Sequence, residues 1–213
     1  MNQPKITLVE LPPTSFGKLS APRVNDVYTR FHLPARANPL LHAILLQHGY
    51  KDVVSIDPNL NRKRRLTKAD LERLAISDYR LVSSITRTVP QTEELARLFT
   101  KGVTISGGPH VTFCPEEALK WTDFVVRHEG DETLIELLER LERKQSLENL
   151  KGISYKIDGK VVNNECRELL TTEELSDLPA PDYSMYPRRT KGVVNTSRGC
   201  PYACDFCSVT QFY

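Results

Sequence analysis

The chain has 213 residues, 39% hydrophobic and 26% charged, with 29 basic against 27 acidic side chains and a net charge of +2. That is ordinary globular composition, and so even a charge balance gives no general pull toward nucleic acid or a membrane surface. No run approaches the roughly 18 consecutive apolar residues of a membrane span, and the N-terminus lacks a signal peptide's apolar core.

In chain order, five short apolar runs alternate with helical stretches. Ile6 to Val9 comes first, then Val53 to Ile56, Leu81 to Ser84, Val103 to Ile105 and Phe124 to Val126. They are rich in β-branched residues and mostly unalternating, the pattern of strands buried on both faces of a parallel sheet. Between them, Pro39 to Gln47 carries Leu40, Leu41, Ile44 and Leu45 and is closed by Gly49. The basic run Arg62-Lys63-Arg64-Arg65 precedes the next helix and, with no aromatic support, reads as a solvated loop. Thr67 caps a helix through Leu71 and Leu74. Pro90 suits a first turn, with Glu93 and Glu94 near the positive helix end. Pro115-Glu116-Glu117 opens a shorter helix, and Asp131 to Arg143 presents one apolar stripe.

This alternation predicts a doubly wound α/β domain over 1–145, a five-stranded parallel sheet in order 2-1-3-4-5. Its strand-to-helix loops should meet at one sheet edge. Residues 146–190 read as a hairpin and linker. Asp158-Gly159 sits between Gly152–Ile157 and Lys160–Asn163, and a proline-rich stretch follows from Leu178 to Pro187. Val193 to Ser197 reads as a sixth strand leading into a glycine-led cysteine loop.

That loop, Cys200-Pro201-Tyr202-Ala203-Cys204-Asp205-Phe206-Cys207, gathers three of the five cysteines. An odd count without secretory context argues for a metal site in a reducing, cytoplasmic setting rather than disulfides. Structural zinc wants four protein ligands, and Cys166 would have to travel from the linker. An iron–sulfur cluster on three cysteines leaves one iron open. A second group of residues lies at the strand ends. Ser84 and Thr86 follow the third strand, Gly107-Gly108-Pro109-His110 the fourth, and His128-Glu129-Gly130-Asp131-Glu132-Thr133 the fifth. Glycines there allow a ligand to approach the backbone closely. The plain alternative is that turns need glycine and helix starts favour Asp, Glu and Thr.

The cysteine loop, with Ser197-Arg198-Gly199 before it, resembles the signature of the radical S-adenosylmethionine (radical SAM) superfamily. Together with Gly107-Gly108-Pro109-His110 and the Glu129-Gly130 turn, it resembles the cobalamin-binding class of those proteins. The resemblance implies that Cys200, Cys204 and Cys207 hold a 4Fe–4S cluster whose open iron takes S-adenosylmethionine, with Phe206 near the adenine. It implies cobalamin at the C-terminal sheet edge, served by Ser84, Thr86, Gly107, Gly108, His110, Glu129, Gly130 and Thr133. It also implies a methyltransferase acting at an unactivated carbon, although ring-forming reactions occur in the class. The chain departs in lacking Asp-x-His-x-x-Gly, which leaves cobalt's lower ligand unassigned; His42 and His48 fall in or beside the first helix. It also has His128 where glycine is frequent.

A full α/β barrel runs to about 250 residues, whereas Val193 to Tyr213 holds only one strand and the loop. Residues 191–213 are therefore expected to be the start of a truncated barrel, inactive alone, with a separately encoded barrel as a possible partner. Two other readings remain open: a stand-alone cobalamin module with a vestigial cysteine tail, or a flavodoxin-like domain with a zinc site.

Overall fold

The computed structural model describes residues 3–12, 37–60, 65–187, 193 and 195–213. Among them, five parallel strands form the centre: β1 (Ile6–Glu10), β2 (Val53–Ile56), β3 (Tyr79–Ser83), β4 (Val103–Gly107) and β5 (Phe124–Val126). They lie in the order β2-β1-β3-β4-β5, and the sheet continues through β6 (Ile153–Ile157) and β7 (Lys160–Asn163) to seven strands. The expected count of five needs correcting. The hairpin is part of this sheet, because β6 pairs antiparallel with β5, Val125 opposite Ser154. Pairing β5 with β6 gives ladder partners to an edge that would otherwise be open. Asp158 and Gly159 turn the hairpin with φ of 49° and 76°, both positive, as a tight two-residue hairpin turn requires.

The helices are α1 (Ala37–Gln47), α2 (Lys68–Ala75), α3 (Val89–Leu98), α4 (Pro109–Phe113), α5 (Pro115–Ala118), α6 (Asp131–Glu142), α7 (Thr172–Asp177) and α8 (Val209–Phe212). Local chemistry sets several of their ends. Thr67 and Asp70 form a reciprocal capping box at α2. Pro90 sits in the first turn of α3. The same capping-box logic, Thr171 with Glu174, starts α7 inside the stretch expected to be linker.

One face of the sheet packs against α1 and α6. There Ile6, Leu8, Leu81 and Ile105 meet Ile44, Leu45, Leu134, Leu137 and Leu138. On the other face, Val9, Ile56 and Val82 pack with Leu74 of α2 and Leu95 of α3. Arg80 of β3 is fully buried on that face. Its guanidinium donates to Thr104 Oγ1 and to the carbonyls of Leu74, Ser77 and Phe99, so helix-end acceptors satisfy a buried cation. Burial pulls its pKa down, with Asp123 opposing.

No strand forms at the described residues 193 and 195–197. The backbone of Val193 is taken up by a side chain instead: its N–H donates to the Tyr183 hydroxyl at 2.7 Å, and its carbonyl accepts from the same hydroxyl. The basic run at 62–64 lies outside the described residues.

Candidate functional site

Parallel pairing aligns Ser83 with Gly107 and Gly107 with Val126, so the loops after β3, β4 and β5 leave from one edge. A cleft of about 590 Å³ opens there, within the usual range for small-molecule sites. Its floor is apolar, with Leu8, Leu81, Ile105, Val126 and Leu134. Gly107, Gly108, Glu129 and Gly130 line it, as do residues of the C-terminal segment, including Arg198, Cys200 and Phe212.

Two glycines bare the backbone in different ways. Gly107 ends β4 on the same sheet face as Ile105, two residues earlier. A Cβ there would meet only the Val126 carbonyl, at an ordinary 3.6 Å. Gly108 has φ of +102°, and a Cβ would stand 2.8 Å from the Ser84 carbonyl oxygen. Its glycine is thus required by the fold itself.

The cysteine loop is tied to this edge by charge. Arg198 donates twice to Asp131, at 2.7 and 2.9 Å, and once to Glu129 at 2.7 Å. Its side chain is 16% exposed and each carboxylate 7%. Burial alone would lower the Arg198 pKa, but hydrogen bonds and charge from Asp131 and Glu129 outweigh that and raise it. Glu129 also accepts from the Leu170 N–H at 2.7 Å, joining a third segment. Farther on, Phe212 is buried edge-on against Phe113 and tilted over His128, and its carbonyl lies 3.0 Å from His128 Nδ1. His128 holds φ of 58° in the turn.

Ser84, Thr86, His110, Thr133, Cys204, Phe206 and Cys207 stand outside the cleft lining. Ser84 is buried and structural: its N–H donates to the Gly107 carbonyl, its carbonyl accepts from the His110 N–H, and its hydroxyl pairs with Thr92. Thr86 and His110 pair with each other, Oγ1 to Nδ1, at 3.3 Å. Thr133 is buried toward the hairpin, where a Cβ on Gly152 would come 3.0 Å from its hydroxyl. Phe206 is 93% exposed. Cys200 and Cys204 are exposed and Cys207 is partly buried, with a Cys207 N–H to Cys204 carbonyl bond of 3.0 Å closing the turn between them. His42 is buried in α1, 3.6 Å from Asp182. Burial lowers its pKa against the pull of Asp182.

Sequence reasoning missed Arg198 and Asp131 as a pair, since nothing in their spacing signals contact. It also missed Asn38, which lines the cleft fully buried with its amide nitrogen unpartnered.

The cleft fits cobalamin in kind. An unpaired amide donor suits a ring fringed with amides, an apolar floor suits an aromatic base, and bare glycine backbone allows a flat macrocycle close approach. For the three cysteines, a cluster binds each thiolate through a separate iron, so their sulfurs need not converge on one point.

No protein-family model matches the chain. Curated relatives do. The chain is 41% identical over 114 residues to an uncharacterised methyltransferase of Pyrococcus horikoshii, covering 49% of this chain and 24% of that protein. It is 26% identical over 182 residues to the anaerobic magnesium-protoporphyrin IX monomethyl ester cyclase of Rubrivivax gelatinosus, covering 78% and 33%. It is 28% identical over 151 residues to the bacteriochlorophyllide d C-8(2)-methyltransferase of Chlorobaculum tepidum, covering 63% and 29%. The chain thus spans about a quarter to a third of the length of the curated relatives it matches.

Among solved structures, the fold matches the cobalamin-dependent S-adenosylmethionine radical enzyme OxsB with aqua-cobalamin and S-adenosylmethionine bound. The TM-score is 0.72 at 22% identity, over 96% of this chain and 28% of that one. It also matches the radical S-adenosylmethionine methyltransferase TsrM from Kitasatospora setae with cobalamin and a [4Fe-4S] cluster bound. There the TM-score is 0.60 at 15% identity, over 84% and 32%. The fold neighbours are radical SAM cobalamin enzymes and the curated relatives are methyltransferases and a cyclase, in keeping with the resemblance drawn from the motifs. A separately encoded barrel finds no support in them. Among the described residues, no helix is long and apolar enough to cross a membrane.

Proposed function

We propose, from the premise that this chain is similar to cobalamin-binding radical SAM proteins, that it binds cobalamin and carries the cluster loop of a radical methyltransferase. In this reading residues 1–145 with the hairpin carry cobalamin, and residues 191–213 contribute Cys200, Cys204 and Cys207 to a 4Fe–4S cluster that takes S-adenosylmethionine. When bound, these cofactors supply radical formation and methyl transfer.

One observation carries the reading. Cys200 lines the same cleft as Gly107, Gly108 and Gly130, which supports a cluster held beside the cobalamin. The protein's part is placement. Gly107 leaves room over β4, Asn38 offers its free amide, and the apolar floor excludes water. Arg198, held by Asp131 and Glu129, fixes the approach to the cysteine loop. A bidentate arginine–carboxylate pair does this with defined geometry.

Titrating the full chain with hydroxocobalamin, followed by visible absorbance, tests the cobalamin half. Saturable one-to-one binding is expected, and no binding at millimolar ligand rules the reading out. Anaerobic reconstitution with iron and sulfide tests the other half. Cys204→Ala should lose most of the bound iron, and equal iron in that variant removes the loop as the cluster site.

A further inference from the structure

We propose that His110, Cys114 and Glu117 form a site for a zinc-type divalent cation, separate from the cofactor cleft. One ligand atom from each, a ring nitrogen, a thiol sulfur and a carboxylate oxygen, all lie within 4.8 Å of one another. Among the described residues no other trio of His, Cys, Asp and Glu converges in this way. None of the three lines the cleft.

The backbone explains the convergence. His110 lies in α4, Glu117 in α5, and Cys114 is the junction between them, its N–H donating to the His110 carbonyl at 2.9 Å. Pro115 then restarts the chain as α5, which returns Glu117 to the same side. Spacings of four and three residues bring the groups onto one face of this broken helical stretch.

The histidine shows what is missing. Its side chain is 10% exposed, and Nε2 is buried with no hydrogen-bond partner. The nearest carboxylate oxygen, on Glu117, is 3.7 Å away, beyond hydrogen-bond reach. A buried ring nitrogen without a partner is costly. A metal ion between the two would satisfy it. Nitrogen and oxygen ligands about 2.0–2.2 Å from a tetrahedral zinc stand about 3.4 Å apart, so the His110–Glu117 spacing of 3.7 Å needs only a small closure. The other ring nitrogen is already positioned: Nδ1 is 3.3 Å from Thr86 Oγ1. With Nε2 on the metal, Nδ1 carries the proton and donates it to that hydroxyl, the outer-shell arrangement typical of metal-bound histidine. A nitrogen, sulfur and oxygen set suits zinc over the hard oxygen-seeking cations. Three protein ligands leave one position open, and Glu117, 52% exposed, provides the solvent side. Bound there, the cation would tie α4 to α5 beyond Gly108 without touching the cleft.

The test uses zinc alone on the full chain, in a background with Cys200, Cys204 and Cys207 changed to Ser, so that the loop thiols cannot compete. Affinity is read by competition with a chromophoric chelator, and geometry by the cobalt(II) spectrum. One tight zinc per chain is expected, with tetrahedral cobalt bands and a thiolate charge-transfer band. Cys114→Ser should abolish that band and weaken zinc by more than about 100-fold. Thr86→Val should weaken it by about 10–100-fold, the usual outer-shell effect. Glu117→Gln, on an exposed side chain, repeats the test if Cys114→Ser fails to fold. The proposal is overturned if the background chain takes up no zinc against the chelator. It is equally overturned if a folded Cys114→Ser or Glu117→Gln variant binds as tightly as its parent.

Discussion

Gly107→Val puts a side chain where the proposed corrin ring needs bare backbone. Gly107 carries no left-handed φ, and the new Cβ would meet only the Val126 carbonyl at 3.6 Å, so the strand accepts the change. Glycine inside a strand is less stable than a residue with a side chain by about 0.5–1 kcal/mol. The melting temperature of a chain this size should therefore stay level or rise by about 1–4 °C. The valine projects on the face of Ile105, which lines the cleft. Forcing extra carbons into a filled site costs about 1–3 kcal/mol, which is about a 5- to 150-fold rise in the hydroxocobalamin dissociation constant. Gly108→Ala is the contrasting control. At φ of +102°, 2.8 Å from the Ser84 carbonyl, it should lose about 1–3 kcal/mol of stability and about 2–12 °C of melting temperature. The assay is visible-absorbance titration beside thermal unfolding. A stable Gly107→Val chain that binds hydroxocobalamin within twofold of its parent would show that the ring does not sit against β4.

Glu10 at the end of β1 has a buried, unpartnered carboxyl oxygen. Burial first, and Asp57 second, raise its pKa from 4.5 to about 8. The folded state thus holds a proton the unfolded state releases, so stability is full below pH 4.5 and falls as pH rises toward 8, by up to about 1.4 kcal/mol per unit. Unfolding midpoints in urea across that window should show the slope in the parent chain and a flatter one in Glu10→Gln; identical slopes would remove Glu10 as the cause. Arg198→Met leaves Glu129 and Asp131 buried without their cation, a loss of about 3–5 kcal/mol where the contacts stay closed. The C-terminal segment should instead lift away, so limited proteolysis should cut near the cysteine loop at least tenfold faster, and an unchanged cleavage rate would argue against that anchor. With Cys200 and Cys204 exposed, a reconstituted cluster should be oxygen-labile; charge-transfer absorbance that survives in air would show a shielded site.

Much of the fold is legible locally. Apolar runs of three or four residues placed β1 to β5, Thr67 marked the start of α2, and Asp158-Gly159 marked the hairpin, because strand burial, capping and positive φ are decided by a few neighbouring residues. The glycines at the β4 edge were legible too. Which neighbour each element meets was not. That β6 pairs with β5 depends on an edge left free by five other strands. Arg198 reaches Asp131 across 67 positions, and no local period records such a contact. Thr133 shares the Glu129–Gly130 turn's helix start yet faces the hairpin, and His110 follows Gly108 by two residues yet stands off the cleft. Residue type and spacing determine which groups arrive at a sheet edge. Packing alone decides which of them face the ligand, because it fixes the side of each helix that must be buried.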